Sequence, residues 1–327
     1  MNTTPPMYAS IKNGSSIYKS TIVKNRVTVI GLYGMSLLLG MEAFPRDGQT
    51  VVAGCMAVEP GGKGFNQAVS AARSGSSVNF ITAVGNDAFG KRLFEDCAKE
   101  HIACEYSVVL EEPTASAAVL SDALGASRVI VARGACDAIR SANMREGWQM
   151  DCKVLLLQHE TPAEITLYAA EKCAQSGSFI ILNPAPARIV SPELMRFIDL
   201  IVPNWGEALE LVGAPDTEEP RVVATKLREM GARNVIITLG EKGIYVLLED
   251  KTAYLKPAPS VRVVNTTGAG DTFCGVLASC IADGMPITES ARRATMAASL
   301  SVTKQGVIQA IPTTQELDRF INGAETT

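Results

Sequence analysis

The 327-residue chain is poor in the side chains on which metal and nucleophile chemistry usually depends. It has only two histidines, His101 and His159, and its eight cysteines include no Cys-x-x-Cys pair. A histidine-rich metal centre, a zinc knuckle and a thioredoxin-type redox pair are therefore not expected. A Ser-His-Asp triad is not expected either, because the chain has no Gly-x-Ser-x-Gly elbow. We interpret the cysteines as buried thiols of a reducing compartment.

The chain also lacks the positive charge that nucleic-acid binding requires. It has 30 Lys and Arg against 34 Asp and Glu, a formal net charge of −4, and aromatic residues make up only 6%. A phosphate backbone needs clustered basic side chains, and single strands need aromatic surfaces for stacking. The composition therefore indicates no nucleic-acid partner.

No hydrophobic run is long enough to cross a membrane. The uncharged run 27–41 has 15 residues, is interrupted by glycines, and falls short of the ~20 that a spanning helix needs. Residues 1–26 contain four basic residues and no acid, which fits a flexible N-terminal tail better than a transit peptide. We therefore expect a soluble cytoplasmic protein without a membrane partner.

What the sequence does contain is a large apolar fraction, 47%, with 20% charged residues, which is typical of a globular protein. From about residue 150, β-branched runs alternate with helical patterns, and this alternation predicts a parallel sheet covered on both faces. We expect strands at 27–32, 78–84, 153–157, 179–182, 200–202 and 234–238, and helices at 65–73, 88–100, 163–176, 206–212 and 221–230. Two helices, 270–283 and 287–304, are expected to close the chain. Parts of 37–59 and 102–132 alternate instead and predict a small antiparallel excursion, with strands at 37–39, 50–58, 102–104, 116–120 and 128–132.

Residues 264–275 read Val-Asn-Thr-Thr-Gly-Ala-Gly-Asp-Thr-Phe-Cys-Gly, a β-branched run followed by a glycine-rich loop and a helix. The unpaired N–H groups at a helix N-terminus favour a phosphate. Asp271 can take a proton from a hydroxyl while the N–H groups of Gly268, Ala269 and Gly270 stabilise a transferring phosphoryl group. The alternative is that Asp271 caps the helix and the glycines turn the chain. A P-loop is absent, since no Gly-Lys pair precedes Ser or Thr.

A second glycine-rich segment, Gly-Gly-Lys-Gly-Phe-Asn-Gln-Ala at 61–68, also precedes a helical pattern. Its N–H groups, with Lys63 and Asn66, can hold hydroxyls or a phosphate. The alternative is a tight strand–helix turn.

With these two segments the chain resembles the ribokinase (PfkB) family of carbohydrate kinases, over roughly residues 27–320. The family's two motifs stand in order about 200 residues apart. Between them lie Asn-Pro-Ala-Pro-Ala at 183–187, Pro203-Asn204 with Glu207, and Thr238-Leu239-Gly240 with Gly243. The Asn-Pro-Ala-Pro-Ala segment is typical of the ribokinase branch.

The resemblance implies a three-layer αβα fold with a mostly parallel central sheet and a small β lid, in one kinase domain at 27–322. Such proteins often dimerise through their lids. The resemblance also implies transfer of the ATP γ-phosphoryl group to a primary hydroxyl of a sugar, with Mg²⁺. Asp271 would be the base, and Gly268, Ala269 and Gly270 the anion hole.

The same resemblance assigns the binding residues. The sugar side would use Gly61, Gly62, Lys63, Asn66, Ser36 and Glu160, the last of which could instead be a solvated loop acid. The nucleotide side would use Asn204, Glu207, Thr238, Gly240, Gly243 and Gly306, with Glu207 holding Mg²⁺ through water.

The chain departs from the family at two places. Gly34 and Ser36 replace an Asn-x-Asp pair that holds sugar hydroxyls, so ribose itself becomes doubtful. Nearby, Tyr33 and Met35 could meet a nucleobase or a modified sugar, although packing in the core is the favoured interpretation. Asn265 replaces an aspartate that binds a monovalent cation, and 306–310 lacks the serine that ligates the same ion, so we expect a weak or absent cation site.

Three hypotheses follow. The favoured one is an ATP-dependent sugar kinase acting on a ribose-like or related monosaccharide. The alternatives are a nucleoside kinase of the same fold and a non-catalytic sugar-sensing protein. The presence of Asp271, Asn204 and Glu207 argues against the non-catalytic alternative.

Overall fold

The computed structural model describes residues 26–124, 126–149, 152–250 and 252–324. The predicted tail therefore lies outside the described residues, except for Arg26, which opens the first strand. In chain order the strands are β1 (Arg26–Ile30), β2 (Gly34–Gly40), β3 (Cys55–Gly61), β4 (Ser77–Ile81), β5 (Ala83–Gly85), β6 (Val108–Leu110), β7 (Ala115–Ser121), β8 (Ser127–Ala132), β9 (Val154–Gln158), β10 (Phe179–Asn183), β11 (Leu200–Ile201), β12 (Asn234–Thr238), β13 (Ile244–Leu247) and β14 (Ala253–Lys256).

The helices alternate with these strands. In chain order they are α1 (Lys63–Arg73), α2 (Ala88–Lys99), α3 (Ala135–Ala138), α4 (Ala163–Gln175), α5 (Pro192–Met195), α6 (Trp205–Val212), α7 (Pro220–Glu229), α8 (Ala269–Ala282), α9 (Ile287–Ser301) and α10 (Thr314–Ala324). Among the described residues, no helix is both long and apolar enough to cross a membrane.

The central sheet has eight strands in the order β14-β13-β12-β11-β10-β9-β1-β4. The six strands from β12 to β4 are parallel, and β13 and β14 continue the sheet antiparallel. Crossover helices connect the parallel strands and cover the sheet on both faces. The arrangement agrees with the predicted three-layer fold.

Alternation along the buried strands divides the core into two halves. In β9, Val154 and Leu156 belong to one hydrophobic cluster, and Leu155 and Leu157 belong to the other. The first cluster packs against α1, α8, α9 and α10, and the second against α4, α5, α6 and α7. Because both faces are buried, these strands read as continuous apolar runs.

A separate four-stranded sheet, which we call the lid sheet, has the order β3-β2-β7-β8. Its β2–β3 and β7–β8 pairs are antiparallel, and β2 pairs with β7 in parallel. The strands lie close to the predicted excursion, but β2 begins at Gly34 and β3 ends at Gly61, so the sheet extends down to the glycine-rich segment that opens α1.

Three local predictions were wrong. Residues 102–104 form no strand, since Ala103 makes only an isolated bridge to Asn79; three alternating residues after α2 are too few to pair as a strand. Residues 50–54 are also irregular, and β3 begins only at Cys55. A third helix, α10, closes the chain. Its core contacts come from Leu317 and Ile321, one turn apart, so its short apolar stripe gave little periodicity to detect.

Candidate active site

The N-terminus of α8 has the geometry of an anion site. Gly268 caps the helix in the left-handed region, with φ of 81°, and no side chain bonds the first-turn N–H groups. A Cβ on Gly268 would lie 2.7 Å from Cγ1 of Val307, so only glycine fits both the backbone and the space. At Gly270 a Cβ would meet no atom within 4 Å. The N–H of Ala269 donates to the carbonyl of Thr266 at 3.2 Å, so the N–H groups of Gly268 and Gly270 are the ones available to a phosphate.

Asp271 is buried in the first turn of α8 and is held from α1. Its Oδ2 accepts a hydrogen bond from Nδ2 of Asn66 at 2.8 Å, and its Oδ1 accepts one from Nε2 of Gln67 at 3.0 Å. It makes no side-chain capping bond to α8, so the capping alternative is wrong. Two amide donors orient the carboxylate, and each oxygen retains a lone pair for a further donor.

A chain of side-chain amides supports this arrangement. Gln67 Oε1 accepts from Nε2 of Gln158 at 2.6 Å, and Gln67 Nε2 also reaches Oδ1 of Asn183 at 3.1 Å. Asn183 in turn donates to the carbonyl of Val202 at 2.8 Å. Gln158 and Asn183 end β9 and β10, so the carboxyl edge of the sheet fixes Asp271 through Gln67. The sequence motifs predicted no site role for Gln67, Gln158 or Asn183; the position of Gln158 and Asn183 at the ends of buried strands was the available signal.

The glycines at the start of α1 permit close packing. Gly62 has φ of 100°, and a Cβ there would lie 2.3 Å from the carbonyl oxygen of Leu32. A Cβ on Gly64 would lie 2.6 Å from Cα of Gly31. The tight-turn interpretation therefore holds for these glycines, and the same turn directs the N-terminus of α1 towards Glu160.

Lys63 and Glu160 meet at this helix start. The backbone N–H of Lys63 donates to Oε2 of Glu160 at 2.7 Å, so Glu160 is not a solvated loop acid. The carboxylate of Asp271 raises the pKa of Lys63 against the opposing effect of burial, and Glu160 and Glu207 add to the increase. Burial raises the pKa of Glu160 to about 7, although the Lys63 charge opposes this. The site thus combines a firmly cationic lysine with a carboxyl group that titrates near neutral pH.

Asn204 and Glu207 form a reciprocal capping box at the start of α6. Asn204 Oδ1 accepts from the N–H of Glu207, and Glu207 Oε2 accepts from the N–H of Asn204, both at 2.9 Å. Burial raises the pKa of Glu207, partly offset by the bond from Asn204 and by Lys63. The box holds one oxygen of Glu207 and leaves the other for a ligand.

These elements surround a cleft of about 1110 Å³. Its lining includes Gly268, Ala269, Gly270, Asp271, Lys63, Asn204, Glu207, Thr238, Gly240 and Gly243. Asn204 and Thr238 are neighbours, joined by an isolated β-bridge. Gly243 has φ of 89°, and a Cβ there would lie 2.0 Å from the carbonyl oxygen of Lys256. Gly306 lies outside this lining, in the segment after α9, so its predicted nucleotide contact stays a prediction.

Mg²⁺ fits the carboxylates of this cleft only when a bound phosphate and water supply further oxygens. Among the described residues, no group of three or more His, Cys, Asp or Glu side chains forms a metal cage. Glu207 and Asp271 line the same cleft. One or two carboxylates completed by water and phosphate oxygens are the usual protein setting for Mg²⁺.

The base of the lid sheet shows what replaces the missing Asn-x-Asp pair. Gly34 admits no side chain, since a Cβ would lie 2.4 Å from the carbonyl oxygen of Ala115. Tyr33 and Met35 are buried in the core, and the Tyr33 hydroxyl donates to Oδ2 of Asp96 at 2.9 Å. The core-packing interpretation of Tyr33 and Met35 is therefore confirmed.

Glu59 is a neighbour of Ser36 that the sequence analysis missed. The two residues are directly paired between β2 and β3, so their side chains share one face of the lid sheet. A Cβ on Gly61, the diagonal neighbour on that face, would lie 2.9 Å from Oγ of Ser36. Glu59 therefore places a carboxylate beside the one hydroxyl that remains at this position.

Comparisons with known proteins agree with this fold and site. Residues 24–314 match the family described as pfkB family carbohydrate kinase. The curated ribokinase of Haemophilus influenzae is 34% identical over 92% of this chain and 100% of that protein. Among solved structures, a ribokinase from Thermotoga maritima has a TM-score of 0.84 and 31% identity over 90% of this chain and 99% of that one. An Arabidopsis thaliana ribokinase complexed with ribose and ATP has a TM-score of 0.85 and 27% identity, covering 91% and 99%.

The chain belongs to the pfkB family of carbohydrate kinases. The predicted family, the α/β fold and the activity class, an ATP-dependent carbohydrate kinase, are confirmed. The non-catalytic alternative does not agree with this result.

Proposed function

We propose that this protein transfers the γ-phosphoryl group of ATP to a primary hydroxyl of a ribose-like or related monosaccharide, with Asp271 as the general base. One observation carries the proposal. Asp271 lies in the first turn of a helix whose N-terminal N–H groups have no side-chain cap, and Asn66 and Gln67 orient its carboxylate.

In this proposal Asp271 accepts the proton of the attacking hydroxyl. The free lone pairs of its oxygens receive that hydroxyl, and the two amide donors keep the carboxylate from turning away. The N–H groups of Gly268 and Gly270 stabilise the charge on the transferred phosphoryl group. Proton acceptor and anion donors therefore lie on the same helix turn.

The sugar side is supported by unsatisfied acceptors. Asn66 is 7% exposed and its Oδ1 has no hydrogen-bond partner among the described residues. A buried amide oxygen without a donor is costly, and a sugar hydroxyl would satisfy it. Glu160 offers a second acceptor, and Gly61 and Gly62 would line the sugar side at the turn before α1.

The nucleotide side is the cleft that runs from Lys63 to the β12–β13 turn. Thr238, Gly240 and Gly243 would lie along the nucleotide, and Lys63 would face its phosphates. Mg²⁺, held by Glu207 through water, would neutralise charge on the phosphate oxygens. The chain is acidic overall, so these local positive groups must hold an anionic nucleotide.

The substrate need not be ribose itself. Gly34 provides no side chain and Ser36 only a hydroxyl, so hydroxyl recognition at the lid depends on Ser36 and Glu59. The short side chain of Ser36 keeps a nucleoside as the second candidate substrate, since a base attached to the sugar would need room there.

A homodimer through the lid sheet is also part of the proposal. Val58, Leu37, Ala118 and Ile130 form one continuous row across its four strands, and Val58 and Ile130 are 39% and 66% exposed. An exposed apolar row on a two-sided sheet is suited to packing against a second copy of itself.

A substrate survey by coupled ADP release tests the proposal. We expect phosphorylation of one or a few pentoses or hexoses, with nucleosides at least tenfold slower in kcat/KM. The survey should use the Asp271→Asn variant as the blank for contaminating kinases. A preference for nucleosides would replace the proposal with the second candidate, and the absence of any acceptor would contradict both.

A further inference from the structure

Arg73 ends α1, the helix that begins at Lys63 in the site, and its guanidinium joins two other parts of the chain. Nε and Nη2 donate to the two carboxylate oxygens of Glu100, at 2.9 and 2.6 Å. Nη1 donates to the carbonyl oxygens of Ile308 and Ile311, at 2.7 and 2.8 Å. The Arg73 and Glu100 side chains are 22% and 18% exposed, so this bidentate pair is largely shielded from water.

The carbonyls that Arg73 holds belong to the segment between α9 and α10. Thr314 at the end of that segment donates back to the carbonyl of Arg73 at 3.0 Å. The segment is therefore fixed to the end of α1 by three hydrogen bonds, and its geometry depends on the guanidinium.

Val307, next to Ile308, contacts the anion site. Its Cγ1 lies 2.7 Å from the point where a Cβ on Gly268 would stand, closer than a real Cβ contact allows. The side-chain bonds at this end of α8 reach Asp271, which accepts from Asn66 and Gln67, whereas the helix cap at Gly268 has none. The loop before it is tied by the carbonyl of Val302, which accepts from the N–H groups of Val264 and Asn265, and by Oδ1 of Asn265, which accepts from the N–H of Thr267. Packing of Val307 is thus one of the restraints on the Gly268 turn.

We propose that Arg73 is a positioning residue for phosphoryl transfer. By holding the carbonyls of Ile308 and Ile311, it keeps Val307 against Gly268 and so fixes the N–H groups of the anion hole. The proposal rests on the proposed function of Gly268–Gly270. A catalytic N–H group misplaced by about 1 Å can lower the rate about 10²-fold, so an indirect restraint of this kind affects kcat.

The test compares Arg73→Gln and Arg73→Lys with the wild type. The matched control is Arg228→Gln, because Arg228 also donates to a carbonyl, that of Leu248 at 2.6 Å, but from α7. At a temperature where all variants are folded by circular dichroism, we expect Arg73→Gln to lower kcat about tenfold or more, with KM for the sugar within about twofold. Arg73→Lys should recover part of kcat, and Arg228→Gln should leave it unchanged.

Val307→Ala and the double variant Arg73→Gln/Val307→Ala test whether Arg73 acts through Val307. If Arg73 acts through Val307, the double variant should be little slower than the slower single variant. Hydrogen–deuterium exchange of the 268–272 amides should rise in Arg73→Gln and not in Arg228→Gln. An unchanged kcat in folded Arg73→Gln would overturn the proposal. So would a double variant whose decrease in kcat equals the product of the decreases in the two single variants. The exchange measurement needs no turnover, so a failed proposed function would be distinguishable from a failed role of Arg73.

Discussion

At the scale of single residues, the chemistry of this site depends on how a few carboxyl groups are surrounded. Asp271 is oriented by two amide donors, Glu207 by a capping box, and Glu160 by one backbone N–H. Each carboxylate keeps acceptor capacity for a ligand, and Lys63 provides positive charge to all three. In the proposed function the three groups serve different partners while sharing one cation.

Glu160 predicts a pH dependence of sugar binding. Burial raises its pKa to about 7, so protonation as the pH falls from 8 to 6 removes the charged acceptor and should raise KM for the sugar. The variant Glu160→Gln should show a KM about tenfold higher at pH 8 and lose this dependence. Steady-state kinetics in a constant-ionic-strength buffer series checks it, and an unchanged pH profile in the variant would contradict it.

The same raised pKa has a consequence for stability. Between the ordinary carboxyl pKa and about 7, the folded state holds a proton on Glu160 that the unfolded chain has released, so this group lowers the free energy of unfolding as the pH rises. Glu160→Gln should therefore gain stability relative to the wild type between pH 5 and pH 8, as measured by urea denaturation. A stability difference between the variant and the wild type that stays constant from pH 5 to pH 8 would show that Glu160 is ionised throughout and would contradict the expectation.

Asn265 predicts that activity does not depend on a monovalent cation. Its Oδ1 accepts the N–H of Thr267 at 2.9 Å, and the neutral amide gives a cation no charge to bind. We expect equal turnover in sodium-free Tris buffer with and without potassium. The variant Asn265→Asp is the matched gain-of-charge test, and a large potassium stimulation of the wild type would refute the expectation.

At the scale of elements, α1 and α8 together make the site. The start of α1 supplies Lys63, Asn66 and Gln67, and the start of α8 supplies the proposed anion hole and Asp271. The helices approach closely because Gly275 faces α1, where a Cβ would lie 2.4 Å from Cβ of Ser70. The two motifs recognised in the sequence are therefore one structural unit.

The lid sheet predicts an oligomer. Introducing a charge into the exposed row at Ile130→Lys should shift the protein from dimer towards monomer, because a lysine buried between two sheets is costly. Light scattering after size exclusion measures the mass, and Ile189→Lys, at a residue 94% exposed and outside the lid sheet, is the control. A wild-type monomer, or a dimer unaffected by Ile130→Lys, would contradict the lid interface.

At the scale of the whole molecule, the parallel core was predictable because its strands are short apolar runs separated by amphipathic helices. The two glycine-rich motifs, at 61–68 and 264–275, also predicted which residues meet at the start of α8. The sequence did not predict the orientation of Asp271 by Gln67, the pairing of Ser36 with Glu59 or the contact of Val307 with Gly268. Each of these joins distant segments through register or packing, and local patterns carry no information on either. Helix α10 was missed for a different reason, because two apolar residues define its buried face.

The most direct test of the account is the rate of phosphoryl transfer in Asp271→Asn. The substitution keeps the size of the side chain and removes the proton acceptor, so kcat with the best sugar from the survey should fall ~10²–10⁴-fold while ATP binding, measured by calorimetry, is retained. Gly270→Ala, at a position where an added Cβ meets nothing within 4 Å, reports on the same turn without removing the base. A variant Asp271→Asn that binds ATP and transfers phosphate at the wild-type rate would contradict the assignment of Asp271 as the base.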